Sequence, residues 1–196
     1  MIINENYFEL TDYNDSVFWL NNAITGYKLS DRKLEVLFIS VPMSGRDIED
    51  IQEEFKCMAC KINLGLPEDT DLYVIPSLFK PGADGNFQPA HICMAQAISL
   101  LSKATIVSIP HGHYSTRGCN FEQEYAMKYL LPTGKTCVIY QPKWDKETMN
   151  GQWFASTDLE ATKPKLGSMF GRTPFVPDAF FISHYTIEDT SIWEDM

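Results

Sequence analysis

Residues 34–41 (Leu-Glu-Val-Leu-Phe-Ile-Ser-Val) form a nearly continuous apolar run rich in branched side chains. Such a run suits a strand buried on both faces, as parallel strands are. Residues 42–46 (Pro-Met-Ser-Gly-Arg) then read as a turn, and Asp47 stands at a helix N-cap position. Ile51, Phe55, Met58 and Ile62 recur at helical spacing as far as Gly65, a stop signal. This strand-loop-helix unit repeats along the chain. A second strand at 72–75 ends at Pro76, and a loop over 80–89 carries the turn signal Ala83-Asp84-Gly85. Ile92, Ala95, Ile98 and Leu101, with Met94 beside them, form a helical stripe ahead of a third strand at 105–109. A helix from about 119 to 131 precedes Pro132 and Gly134, and a fourth strand follows at 136–140. Strands alternating with helices pair in parallel through right-handed crossovers. The predicted fold class is therefore α/β, a Rossmann-like or flavodoxin-like parallel sheet flanked by helices, with ligands bound beyond the strands' C-terminal ends.

The pattern divides the chain into an N-terminal extension (1–33), a core (34–143) and an aromatic C-terminal tail (144–196). The extension mixes Tyr7, Phe8, Tyr13, Phe18 and Trp19 with acidic residues and shows no sustained period. The tail sets Trp144, Trp153, Phe154, Phe170, Phe175, Phe180 and Phe181 among Pro and Gly, and is predicted to pack on the core or on a partner subunit. Its aromatics stacking on a base is the alternative. With 196 residues, 44% hydrophobic and 21% charged, one principal domain with a real core is expected. A net charge of -10 argues against a grip on extended nucleic acid, which needs clustered Lys and Arg, and leaves room for a local basic pocket holding one nucleotide. No apolar run approaches the roughly 20 residues of a membrane helix, and residues 1–10 contain Asn and Glu where a secretory signal would be apolar. A cytoplasmic protein with free thiols and no membrane association is expected, its five cysteines being odd in number and scattered.

Two loops, 42–46 and 110–118, leave predicted strand ends and should meet at one sheet edge. Gly45 and Gly118 allow close backbone approach, Ser44, Ser115 and Thr116 supply hydroxyls, and Arg46 and Arg117 supply charge for an anion. His111 and His113 are further donors, able to hold phosphate or protonate a leaving base, and no further ligand makes them a metal set. Cys57 and Cys60 have redox or metal-ligand spacing but fall inside a helical pattern without a second pair, and read as structural. Glu122, predicted in the first turn of the following helix, places a carboxylate at the ligand edge. It can act as a nucleophile on a sugar carbon, or it can simply favour the positive end of the helix dipole. Glu124, two residues on, points elsewhere and reads as solvated.

Residues 38–45 (Phe-Ile-Ser-Val-Pro-Met-Ser-Gly) resemble the opening strand and Gly loop of the nucleoside 2-deoxyribosyltransferase-like proteins, in particular a small phage-associated branch. Residues 91–102, beginning at His91, are similar to that branch's helix before the third strand. Residues 116–122 (Thr-Arg-Gly-Cys-Asn-Phe-Glu) are similar to its Ser-x-Gly-x-x-x-Glu element, with Ala126 and residues 137–140 agreeing further on. The resemblance spans roughly 34–140 and implies a Rossmann-like fold, with Glu122 as nucleophile toward C1′ of a ribosyl or deoxyribosyl group and Thr116 with nearby amides holding phosphate or sugar. It implies a small-molecule nucleoside or nucleotide as partner, no cofactor, and a homo-oligomer whose neighbouring chain helps close the pocket. The chain departs from the pattern at Val41 (Gly), at Ile75-Pro76 (Asn-Pro) and at Ala104, where an Asp is expected as a sugar or base contact. The function expected is N-glycosyl-bond chemistry, either 2-deoxyribosyl transfer or nucleoside monophosphate hydrolysis. The alternatives are a nucleotide-binding module without catalysis and, ranked after it, a structural or interaction protein with the aromatic tail as its contact surface.

Overall fold

The computed structural model describes residues 1–28, 31–110 and 116–141. Four strands, β1 (Lys33–Ile39), β2 (Thr70–Val74), β3 (Ile106–Pro110) and β4 (Cys137–Gln141), form one all-parallel sheet in the order β2-β1-β3-β4. The α/β fold expected from the alternation is what the chain adopts, and the strand order is that of a doubly wound, flavodoxin-like sheet. Along β1, Leu37 and Ile39 enter the core on one face while Val36 and Phe38 enter it on the other. Burial on both faces is the reason the run is apolar without alternation.

Four helices, α1 (Tyr13–Tyr27), α2 (Ile48–Leu64), α3 (Ala90–Leu101) and α4 (Arg117–Tyr125), cover the sheet. Helix α2 seals one face with Ile51, Phe55, Met58 and Ile62, the residues its sequence period marks. The other face receives Leu20 of α1, Ala97, Leu100 and Leu101 of α3, and Ala126 and Met127 just beyond α4. The chain winds from β1 through α2 to β2, then back across β1 through α3 to β3. Winding thus reverses between β1 and β3, and the C-terminal ends of such a pair are where doubly wound sheets bind ligands.

Helix α1 lies in the segment where the sequence shows no period. Its inner stripe is Tyr13, Ser16, Val17, Leu20, Ala23 and Ile24, which does recur every three to four residues. The polar Ser16 inside that stripe and the exposed Phe18 and Trp19 outside it blur the pattern. Ser16 is fully buried because its hydroxyl donates to the Pro76 carbonyl at 2.7 Å. The first four residues run along the outer edge of β2. Leu72 donates to Met1 and accepts from Ile3 at 2.8 and 3.0 Å, and the Asn4 side chain both donates to and accepts from Val74. That edge therefore presents fewer open backbone groups to another strand.

Tyr27, the last residue of α1, is tied to the sheet through Asp71 at the start of β2. The buried Asp71 carboxylate accepts from Arg32 Nε at 2.6 Å, from Arg32 Nη2 at 2.9 Å and from the Tyr27 hydroxyl at 2.7 Å. The guanidinium first, helped by the hydroxyl, holds the carboxyl far below the usual carboxylate range despite its burial. A depressed folded-state pKa adds stability above the ordinary carboxylate range and loses it as pH falls through the folded value. Asp71→Asn is expected to lower the melting temperature by several degrees at pH 7. Thermal scans at descending pH should show the gap from wild type closing below about pH 4.

Candidate active site

Thr116 caps α4 in an extended conformation, its hydroxyl accepting from the Cys119 N–H at 3.5 Å. The helix therefore starts at Arg117, two residues earlier than its apolar pattern suggests, and Glu122 lies in the second turn instead of the first. The exposed N–H groups of the first turn are beyond its reach, and the dipole effect fades over that distance. Cys119, Gln123 and Ala126 are buried at three- and four-residue spacings around Glu122, so the carboxylate projects from the inner stripe of the helix toward the sheet.

There it meets Ser40, the first residue beyond β1. The buried Ser40 hydroxyl donates to Glu122 Oε2, and the Ser40 N–H donates to the Ser108 carbonyl of β3 at 2.8 Å. Glu122 keeps a part of its surface open but is otherwise densely enclosed by protein. Burial pushes its carboxyl up to about 7, against the Ser40 hydroxyl, which favours the ionised form. Such a group populates both protonation states near neutrality, as a nucleophile or an acid-base group requires. One turn earlier, buried Cys119 accepts from the Thr116 hydroxyl at 3.2 Å. Burial, and then the neighbouring Glu122, push its thiol up, so a thiolate nucleophile is not the chemistry favoured here.

The other expected residues among those described fall into three groups. Thr116, Arg117 and Gly118 sit at the α4 start, where Arg117 is exposed and a Cβ on Gly118 would come no closer than 4.0 Å to Thr116 Oγ1. Ser44 and Gly45 are exposed on the loop after β1, and Gly45, at φ 73°, occupies the left-handed region that favours glycine. Glu122 makes its contact with this segment through Ser40, at the loop's base. Arg46 belongs to the third group. Its guanidinium pairs with Asp50 at 2.7 Å and with fully buried Glu54 at 2.5 Å, and donates to the Pro42 carbonyl at 3.0 Å. Charge expected for an anionic ligand is thus shared with two carboxylates of α2. His111, His113 and Ser115, and the aromatic tail at 144–196, lie outside the described residues.

Ala104 stands before β3 at the N-terminal edge of the sheet, buried, its carbonyl accepting from the Thr136 hydroxyl at 3.0 Å. Five strand residues at about 3.3 Å each separate that edge from the one carrying Ser40. A carboxylate at position 104 would therefore lie at the sheet edge opposite the one that carries Ser40 and Glu122. Ser40 carries little signal of its own in the sequence. Its signal is a lone hydroxyl near the end of an otherwise apolar strand, a feature it shares with Ser108. A separate shallow cleft between the starts of α1 and α3, lined in part by Lys80 and its ion-pair partner Asp12, contains none of the expected site residues.

Comparison of the chain with protein-family models, with curated proteins and with solved structures returned no match.

A carboxyl whose pKa is raised on folding opposes stability over a definite pH window. Between its ordinary value of 4.5 and about 7 the unfolded chain has released a proton that the folded chain still holds, so this contribution falls as pH rises and is level above. Glu122→Gln removes that cost while keeping an acceptor for Ser40. Denaturant melts are expected to show the variant gaining stability over wild type from pH 4.5 to 7, reaching on the order of 1–3 kcal/mol at pH 8.

Proposed function

We propose that the protein breaks N-glycosyl bonds of nucleosides or nucleotides with Glu122 as nucleophile. The observation that carries this reading is the Glu122 carboxyl itself, poised near neutral pKa at the C-terminal end of β1 and oriented by the Ser40 hydroxyl. The motifs at 38–45 and 116–122 supply the substrate class. In the first step a Glu122 oxygen attacks C1′ as the C1′–N bond breaks, and the bond's electron pair leaves with the base, which takes up a proton. In the second step water, or the nitrogen of another base, attacks C1′ and frees the carboxylate. Water gives hydrolysis and a base gives transfer.

The ionised carboxylate is the attacking form, so activity rises with pH. Base release from a panel of nucleosides and nucleoside monophosphates, followed by chromatography, is expected to show kcat/KM falling below an apparent pKa near 7. Glu122→Gln should lose at least about 100-fold in base release while a nucleotide's affinity changes only a few-fold, because the amide keeps the shape but forms no glycosyl ester. Turnover surviving Glu122→Gln removes the residue from the mechanism. A wild type that releases no base, yet melts higher with nucleotide, is a binding module instead.

A further inference from the structure

Ser40 presents its backbone in the ladder so that its N–H reaches the Ser108 carbonyl of β3 at 2.8 Å. In a parallel pair the carbonyl of the same residue then accepts from the N–H two residues further along the neighbour. That neighbour is Pro110, which has no N–H to give. The Ser40 carbonyl would be stranded in the interior, at a cost of about 1–3 kcal/mol. Instead it accepts from Nε2 of Gln141 at 2.8 Å. Gln141 belongs to β4, so its side chain reaches past β3 to a strand with which β4 does not pair. It is fully buried, and among the described residues Oε1 of the same amide has no hydrogen-bond partner.

From this geometry we infer that Gln141 is a positioning residue for the candidate site: standing in for the backbone donor that Pro110 lacks, it fixes Ser40 and through the Ser40 hydroxyl orients Glu122. A buried amide left half-unpaired is a costly way to fill core space. What it provides is a fixed direction for the Ser40 backbone. Pro110 makes that direction depend on a side chain instead of on the ladder.

The design predicts a specific rescue. Gln141→Leu keeps the volume and removes the donor, whereas adding Pro110→Ala restores the missing N–H on the neighbouring strand. The first readout is the titration of the Glu122 carboxyl by carbon NMR in the full chain, which needs no substrate. Among the described residues burial and the Ser40 hydroxyl set that titration, Glu122 in turn raises the neighbouring Cys119 thiol, and Glu124 on the same helix pairs outward with Lys128 at 4.0 Å. Loosening Ser40 weakens a hydrogen bond to the ionised form, so the midpoint in Gln141→Leu is expected to rise by roughly 0.5–1 unit. The Pro110→Ala/Gln141→Leu pair should return it to the wild-type value. Where Gln141→Leu proves insoluble, Gln141→Asn, one methylene too short to reach Ser40, is expected to give the same rise. A folded single variant with an unchanged midpoint, or a double variant as shifted as the single, overturns the inference. The second readout rests on the N-glycosyl reading: kcat for base release should fall about 10-fold in the single variant with KM nearly constant, and recover in the double. A protein that releases no base but shows the titration shift and its rescue refutes that reading and leaves the positioning role standing.

Discussion

A strand inside a parallel sheet spends its backbone groups on both neighbours, alternately, and has none to spare until its neighbours part. In this protein the parting comes at the C-terminal end of β1, where the chain winds toward α2 on one face and toward α3 and α4 on the other. Ser40 is the residue at that point, with β3 still beside it and the loop to Gly45 ahead. Its backbone has to be satisfied by whatever β3 offers, and β3 offers a carbonyl from Ser108 but a proline at residue 110. The carbonyl that β3 cannot serve and the Gln141 side chain that answers it both follow from one strand's hydrogen-bonding position. The same position leaves the Ser40 hydroxyl facing α4, where the inner stripe brings Glu122 to meet it.

The buried acids of the protein show how differently a carboxylate can be treated. Glu54 has the Arg46 guanidinium, Asp71 has Arg32, and Glu35 has the Lys33 ammonium at 3.0 Å together with the Thr105 hydroxyl. Each is an ion pair in which a cation offsets the loss of hydration. Glu122 has a hydroxyl and, among the described residues, no cation within ion-pair distance. A carboxyl kept on that footing opposes stability at neutral pH, and proteins retain such conflicts chiefly where function requires them. The contrast also explains Arg46. Its sequence position after Gly45 suggests a ligand-binding charge, but α2 places Asp50 and Glu54 one and two turns below it, and the fully buried Glu54 would be far costlier without the pair.

Much of the fold was legible because a parallel sheet writes its burial directly into composition. The apolar strand at 34–41, the α2 stripe and the strand-helix alternation lead to the observed sheet, with strand limits off by one or two residues. Helix α1 escaped because its inner stripe contains Ser16, whose burial depends on a bond to Pro76 sixty residues away. No local pattern encodes that partner. The arrangement of the candidate site was half legible for the same reason. Glu122 and the cap at Thr116 belong to a short-range motif, whereas Ser40 and Gln141 are linked only through the folded sheet, 101 positions apart. Ala104 shows the converse: a position that looks functional in a linear motif falls at the structural edge once strand direction is known.

A carboxylate with no cation beside it among the described residues makes a further demand on the substrate proposed for it. A resident arginine beside Glu122 would lower its pKa and stabilise the protein, but it would also occupy the electrostatic place that a positively charged species has to take. On the proposed reading that species is the oxocarbenium-like sugar at the transition state, which carries the positive charge only while the C1′–N bond is breaking. The ground-state nucleoside brings no such charge to the carboxylate. The interaction then strengthens as the bond breaks, which is the condition for binding energy to become rate. The Ser40 hydroxyl fits the same logic, since a neutral donor orients one oxygen of the carboxylate without neutralising it and leaves the other oxygen for carbon.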